Sequence, residues 1–260
     1  MVTWPEWFGL ADAGAAVKWS FVSVGLWWAV FSVPLLLFVK EEQGGQKLSL
    51  ELVRMSYQNV VSTIKKIRQL KMTFIFLVAY WLYIDGVDTI IRMAVDFGLA
   101  VGLESNGLLA ALLLTQFVGF PAALVFGWIG HVKGPKFGIF LALLVYCLIV
   151  LWAMQLSSQW EFYVLAFAVG LVQGGIQSLS RSLYARLVPV SQKTEFFGFY
   201  NMLGKFAAVI GPLLVGITGI ITGQPHIGIF MVLLLFVTGG YLLARVDIQA
   251  GELQARAYLG

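Results

Sequence analysis

Residues 72–94 read MTFIFLVAYWLYIDGVDTIIRMA, an apolar run that contains Asp85, Asp88 and Arg92. Because a membrane-spanning helix needs about 20 mostly apolar residues, the run predicts such a helix. Spacings of three and four residues place the three charged side chains on one helical face. A charge at the bilayer centre costs at least ~2.5 kcal/mol, so this face is expected to line a transport or proton-relay path. The alternative is that Asp88 and Arg92 form a neutralising pair that only fixes helix packing.

The composition of the whole chain agrees with a membrane protein. Hydrophobic residues make up 60% of the sequence and charged residues 12%, whereas soluble domains carry roughly 25% charged residues. Six more apolar runs of spanning length occur at residues 21–39, 107–128, 137–154, 162–179, 199–221 and 227–244. The sequence therefore predicts an all-α membrane protein with seven spanning helices.

The distribution of Lys and Arg predicts how the chain is oriented in the membrane. Basic residues concentrate in alternate connections and in the tail after residue 244, whereas residues 97–106, 156–161 and 222–226 contain none. The positive-inside rule therefore places the basic connections and the C-terminus in the cytoplasm. An odd number of spans then places the N-terminus outside. This placement of the basic residues also argues against nucleic acid as a partner.

The spans divide the chain into five expected segments. Residues 1–20 are expected to be an extracytoplasmic loop, residues 21–39 a lone span, residues 40–71 a cytoplasmic linker, residues 72–244 a six-helix bundle and residues 245–260 a cytoplasmic tail. In the linker, apolar residues from Leu50 to Ile67 recur at steps of three and four, which predicts an amphipathic helix. This helix is expected to bind anionic lipid, to bind a partner helix, or to pack on the membrane domain.

Polar and helix-breaking residues inside the spans are further candidate functional positions. Gln173, Gln177 and Arg181 lie at four-residue steps, so they form a polar stripe that lines a cavity or packs against another helix. Four residues are expected hinges, because proline removes a backbone donor and kinks a membrane helix. These hinges are Pro34, Pro121, Gly211 and Pro212.

Three local patterns carry a resemblance to a known family. Residues 127–136 read GWIGHVKGPK, residues 170–189 read GLVQGGIQSLSRSLYARLVP, and residues 80–92 read YWLYIDGVDTIIR. The first pattern resembles the Gly-rich basic loop of the major facilitator superfamily, in which an acidic residue normally stands where this chain has His131. The second pattern, with residues 195–201 and 204–212, resembles the bacterial branch related to the fungal autophagy-associated vacuolar amino-acid effluxers. The third resembles the start of that family's second half.

The resemblance implies the C-terminal half of a twelve-span major facilitator transporter, in which residues 21–39 are the sixth helix. The implied activity is secondary active transport of a small polar solute, with amino acids as the solute class and proton coupling, in the bacterial inner membrane. Asp85 is then a proton acceptor or a partner for the solute ammonium, and Arg92 a partner for its carboxylate or for Asp88. Neutral hydrogen bonds are expected from Gln173, Gln177 and Asn201. Cytoplasmic gating is expected from Gly127, His131, Gly134, Lys136, Arg181 and Arg186.

Such transporters hold their solute between two six-helix halves, so the implied partners are the lipid bilayer, the solute, and a missing N-terminal half or a second copy. One alternative is a truncated remnant or subunit that does not transport. A seven-helix receptor or photosensor is a weaker alternative, because residues 227–244 contain no lysine for a retinal Schiff base. The enzyme and metal-site motifs that we considered do not occur in the sequence. We therefore expect no enzymatic activity, no cofactor and no bound metal.

Overall fold

Ten α-helices build the described part of the computed structural model, which covers residues 5–39, 50–223 and 225–258. The helices are α1 (Ala13–Phe38), α2 (Leu50–Gln69), α3 (Lys71–Ala100), α4 (Ser105–Lys133), α5 (Pro135–Ala153), α6 (Gln159–Leu187), α7 (Lys193–Ala207), α8 (Ile210–Thr222), α9 (Pro225–Ala244) and α10 (Ile248–Ala257). Short 3₁₀ turns occur at Pro5–Phe8 and Val190–Gln192, and these residues contain no β-strand.

Seven segments of this described part are long and apolar enough to cross a membrane. They correspond to α1, α3, α4, α5, α6, α9 and the combined stretch Val190–Thr222, which contains α7 and α8. The all-α membrane class and the seven predicted spans are therefore confirmed.

The chain divides into two units, Met1–Arg54 and Met55–Gly260. In the first unit, α1 begins at Ala13 because the Asp12 side chain accepts a hydrogen bond of 2.6 Å from the Ala15 backbone. The expectation of a loop through residue 20 is therefore wrong for residues 13–20. Pro34 lies inside α1, and large apolar side chains around the helix are exposed, as contact with lipid requires.

The second unit contains the core. There α4 packs mainly on α6, while α3 packs mainly on α9. Large aromatic side chains fill the space between the helices, and Tyr83, Tyr146 and Phe236 are among those fully buried. Tyr146 of α5 stacks on Phe236 of α9 with ring centroids 5.2 Å apart, and Phe236 in turn lies against Gly86 of α3. The absence of a Gly86 side chain therefore allows α3 and α9 to approach closely.

The expected cytoplasmic loop at residues 127–136 is almost entirely helical. Gly127 and His131 lie within α4, and Gly134 alone separates α4 from α5. Gly134 has a φ of 87°, which an L-amino acid with a side chain rarely adopts. His131 occupies the last turn of α4, where the helix dipole favours a cation over a carboxylate. The expectation that Gly127 and His131 lie in a loop between two spans is therefore wrong.

The predicted span at residues 199–221 is not one helix. Ala208 and Val209 separate α7 from α8. Pro212 follows as the third residue of α8, and its ring clashes with the carbonyl of Ala208 in a continuous helix. Proline therefore breaks the span, and it does so about halfway along.

Candidate functional site

Asp85 lies deep inside the second unit. Its side chain is only 1% exposed, and neither carboxylate oxygen has a hydrogen-bond partner. The backbone N–H of Gly211, at the start of α8, faces this carboxylate but does not reach hydrogen-bond geometry. The indole nitrogen of Trp81, one turn earlier on α3, is also buried without a partner. Buried polar groups are normally paired, so an unpartnered carboxyl at mid-span is unusual and makes Asp85 a candidate functional residue.

The broken span contacts α3 next to this carboxyl. Gly211 is buried, and a Cβ at this position would lie 3.0 Å from the Thr89 Cβ and 3.2 Å from the Asp85 carbonyl oxygen. Thr89 donates a hydrogen bond of 2.6 Å to that same carbonyl. The start of α8 therefore packs directly on the α3 turn that carries Asp85.

The three charged residues of α3 do not share one environment. Asp88 is half-buried and Arg92 is exposed, whereas Asp85 is buried. Asp88 and Arg92, both within the described part, form no ion pair. The expected single charged face is therefore divided: Asp85 points into the helix bundle, while Arg92 is available at its surface.

A cavity of about 420 Å³ lies beside this region, between the end of α3 and parts of α4, α5, α6, α8 and α9. Its lining is mainly aliphatic and small, and Gly216 and Gly219 of α8 contribute no side chain. Its polar lining residues are Thr89, Asp96, Thr115, Gln116 and Gln173. Asp85 does not line the cavity. The arrangement can therefore hold a small solute with an apolar part, separately from the buried carboxyl.

The polar stripe of α6 continues from this cavity. Gln173 lines the cavity, and Gln177 and Arg181 follow as exposed residues. The Arg181 guanidinium donates a hydrogen bond of 3.1 Å to the side-chain oxygen of Asn201 on α7. The structure thus brings Arg181 and Asn201 together, although the sequence had assigned one to gating and the other to solute binding.

Stacked aromatic rings lie next to this hydrogen bond, and sequence reasoning missed them. Tyr200 of α7 stacks on Tyr80 of α3 and on Tyr184 of α6, with centroid distances of 4.2 and 4.8 Å. Gly204 lies one turn after Tyr200, where a Cβ would be 2.9 Å from the Tyr80 hydroxyl oxygen. The stacked rings therefore connect α7 with both α3 and α6.

The remaining expected gating residues occupy different positions. Lys136 donates hydrogen bonds of 3.0 and 2.7 Å to the carbonyl oxygens of Ala244 and Val246, so it caps the end of α9. Arg186 is exposed in the last turn of α6. Pro121 lies inside α4, far along the chain from the break at residues 208 and 209.

Glu195 makes contacts with α2 that were not predicted from the sequence. Its carboxylate accepts a hydrogen bond from Thr63 and forms an ion pair of 2.9 Å with Lys66, both on α2. Glu195 lies in the first turn of α7, where the helix dipole also favours a negative charge. The linker helix is thereby fastened to the first half of the broken span.

The cavity residues Thr115 and Gln116 could have been found from the sequence. Both interrupt the apolar run at residues 107–128, and a polar residue within a span is a functional candidate by default. The Tyr80, Tyr184 and Tyr200 stack left no such signal, because tyrosines at helical spacing in an apolar chain resemble ordinary core residues. No group of three or more metal-ligating side chains occurs among the residues at 5–39, 50–223 and 225–258.

Seven apolar segments of spanning length define a multi-pass integral membrane protein. Residues 10–256 match the family described as "Vacuole effluxer Atg22 like", and the chain belongs to that family. It is 38% identical to the uncharacterized MFS-type transporter YxiO of Bacillus subtilis, over 90% of this chain and 55% of that protein.

Fungal relatives are more distant. Autophagy-related protein 22 of Yarrowia lipolytica is 26% identical over 92% of this chain and 46% of that protein. The protein of the same name from Coccidioides immitis is 27% identical over 90% of this chain and 43% of that protein. The chain thus spans about half the length of the curated relatives it matches.

Proposed function

We propose that the chain forms one half of a secondary active transporter that moves a small polar solute across the bacterial inner membrane. The family membership and the name of the Bacillus relative support transport. The family description names a vacuole effluxer, and an amino acid is the solute class that we propose. The transporter has a second six-helix half, supplied by the same polypeptide or by another chain. We further propose that the chain is not an enzyme.

The buried carboxyl of Asp85 carries the mechanistic part of the proposal. A charged carboxylate without a partner is costly in an apolar interior, so the group is stabilised by taking up a proton. At 1% exposure and outside the cavity lining, Asp85 is out of reach of a solute ammonium. Of the two roles that the sequence left open, proton binding is therefore the better supported one.

Solute binding is assigned to the accessible polar groups. Gln116 and Gln173 face the cavity, and their amides can donate to a carboxylate and accept from an ammonium. Arg92, Gln177 and Asn201 are exposed, so they contribute where the second half closes over them. Asp88 is half-buried and lies one helical turn from both Asp85 and Arg92 on α3. It can therefore relay a proton between Asp85 and the surface.

The break between α7 and α8 is the proposed moving part. Pro212 prevents a continuous helix, and Gly211 keeps the start of α8 in contact with the turn that holds Asp85. A change in the charge of Asp85 therefore acts first on α8. Pro34 and Pro121 remain proposed hinges in α1 and α4.

The test is proton-driven uptake in proteoliposomes by the complete two-half transporter carrying Asp85→Asn. We expect the variant to insert and accumulate normally but to lose coupled uptake, because the amide keeps the shape of the carboxyl without its titratable proton. Glu104→Gln is the control, since Glu104 is exposed and makes no capping hydrogen bond with its side chain. Proton-dependent uptake by Asp85→Asn at the parent rate would contradict the assignment.

A non-transporting subunit or remnant is the second candidate. Uptake distinguishes the two candidates. A non-transporting subunit or remnant predicts no uptake, whether the second half lies on the same polypeptide or on another chain, although the protein still inserts in the membrane.

A further inference from the structure

The end of α2 carries exposed cations next to the start of α3. The side chains of Lys65, Arg68 and Lys71 are exposed, and among the described residues no acidic side chain forms an ion pair with them. The neighbouring Lys66 instead turns inward to Glu195, with 2.9 Å between Nζ and Oε2. Three positive charges at three-residue spacing are therefore left without an acidic partner in the part of the chain that the structure describes.

The opposite face of the same helix is held against the second unit. Thr63, Ile67 and Leu70 are at most 4% exposed, and Thr63 hydrogen-bonds to the Glu195 carboxylate. Because these residues fix which side of α2 faces the protein, the Lys65 and Arg68 side chains are directed away from it. The cationic surface is thus a consequence of how α2 is fastened.

The position of α3 places this surface at the level of lipid headgroups. The 30 residues of α3 correspond to about 45 Å at 1.5 Å per residue, which is close to the ~40–45 Å of a bilayer with its headgroup layers. Its first residue, Lys71, therefore lies at one headgroup layer. Lys65 precedes Lys71 by only six residues, which span at most about 20 Å of chain. The basic connections place this end of α3 at the cytoplasmic leaflet.

We infer that Lys65, Arg68 and Lys71 form a binding surface for the phosphate groups of anionic phospholipids in that leaflet. Lys and Arg next to a spanning helix are attracted to anionic headgroups, and each cation strengthens this attraction about fivefold. The charge of this surface is complementary to an anionic lipid. Lipid bound here would fix the α2 end that is fastened to α7 through Lys66 and Glu195.

The full chain can be tested in nanodiscs that contain phosphatidylcholine and phosphatidylglycerol, with native mass spectrometry to count the lipids retained. We expect the parent to retain phosphatidylglycerol in preference to phosphatidylcholine. The triple variant Lys65→Gln, Arg68→Gln, Lys71→Gln should lower that preference by about two orders of magnitude, at fivefold per cation. The control variant Arg186→Gln, Lys193→Gln, Arg256→Gln removes the same charge from exposed positions on α6, α7 and α10 and should lower the preference clearly less.

Two further measurements keep the result decisive. If the triple variant does not fold, the parent's preference should still fall as salt is added, because ions screen exposed charges. Inorganic phosphate added to detergent-solubilised parent should displace no more phosphatidylglycerol than sodium chloride does at the same ionic strength. Equal retention of both lipids by the parent, an equal loss in the control variant, or a greater displacement by inorganic phosphate than by sodium chloride would each overturn the proposal.

Discussion

The carboxyl group of Asp85 is buried in α3 without a hydrogen-bond partner. Its depth in the apolar run marked it as functional from the sequence alone. The sequence could not show that both oxygens lack partners or that Gly211 of a distant span lies opposite. That contact depends on where α8 begins, which is set by tertiary packing. The separation of Asp85 from Arg92 by burial was missed for the same reason.

Gly211 gives a prediction at this scale. Gly211→Ala is expected to lower the free energy of unfolding by about 1–3 kcal/mol, because the new methyl group overlaps Thr89 and the Asp85 backbone. The measurement is the thermal unfolding midpoint of the purified protein in detergent. Gly219→Ala is the matched control, since Gly219 lies on the same helix and a Cβ at this position would have no other atom within 4 Å. Equal midpoints for the two variants would show that the close contact does not matter.

At the scale of elements, the long apolar helices were predictable and their interruptions were not. The run from Met72 onward gave α3 because a stretch of that length and polarity has few other structures in a membrane. The predicted end at residue 94 lies six residues before the observed end of α3 at Ala100, since helices extend beyond the hydrocarbon core. The break at Ala208 and the near-continuous α4–α5 corner depend on single Pro and Gly residues. Such residues permit a kink or a turn without requiring one.

Pro212 provides a test of the broken span. Pro212→Ala restores a backbone N–H that can donate to the Ala208 carbonyl, so α7 and α8 are expected to join into a straighter helix. Amide hydrogen exchange at residues 208–213 should slow, and uptake by the assembled transporter should fall if the break is the moving part. Pro121→Ala on α4 is the comparison, because it removes a proline from a helix that shows no break. Unchanged exchange at residues 208–213 would rule out Pro212 as the cause.

The fastening of α2 to α7 is a second element-scale test. The Lys66 and Glu195 side chains are 29% and 34% exposed, so their coupling should be modest, about 0.2–1 kcal/mol. A double-mutant cycle with Lys66→Ala and Glu195→Gln measures it directly, and hydrogen exchange along residues 55–69 should become faster in either single variant. Glu252→Gln on α10 is the control. A coupling of zero would mean that α2 is held by Thr63, Ile67 and Leu70 alone.

At the scale of the whole molecule, the exposed polar stripe needs a counterpart. Gln177, Arg181 and Asn201 are exposed on the second unit, and such side chains are too costly to face lipid. They must therefore meet water or another protein surface within the membrane. The second half of the proposed transporter would supply such a surface.

The orientation of the molecule is the last prediction, since the lipid surface and the proton path both depend on it. Single cysteines in a Cys147→Ser background can be labelled from outside intact cells with a membrane-impermeant reagent. We expect Lys65→Cys and Arg256→Cys to stay unlabelled, because the positive-inside rule places the basic connections in the cytoplasm. Glu104→Cys should be labelled, because Glu104 is exposed between α3 and α4 at the end that carries no Lys or Arg. Labelling of Lys65→Cys from outside, with Glu104→Cys protected, would invert the topology and move the cationic surface to the other leaflet.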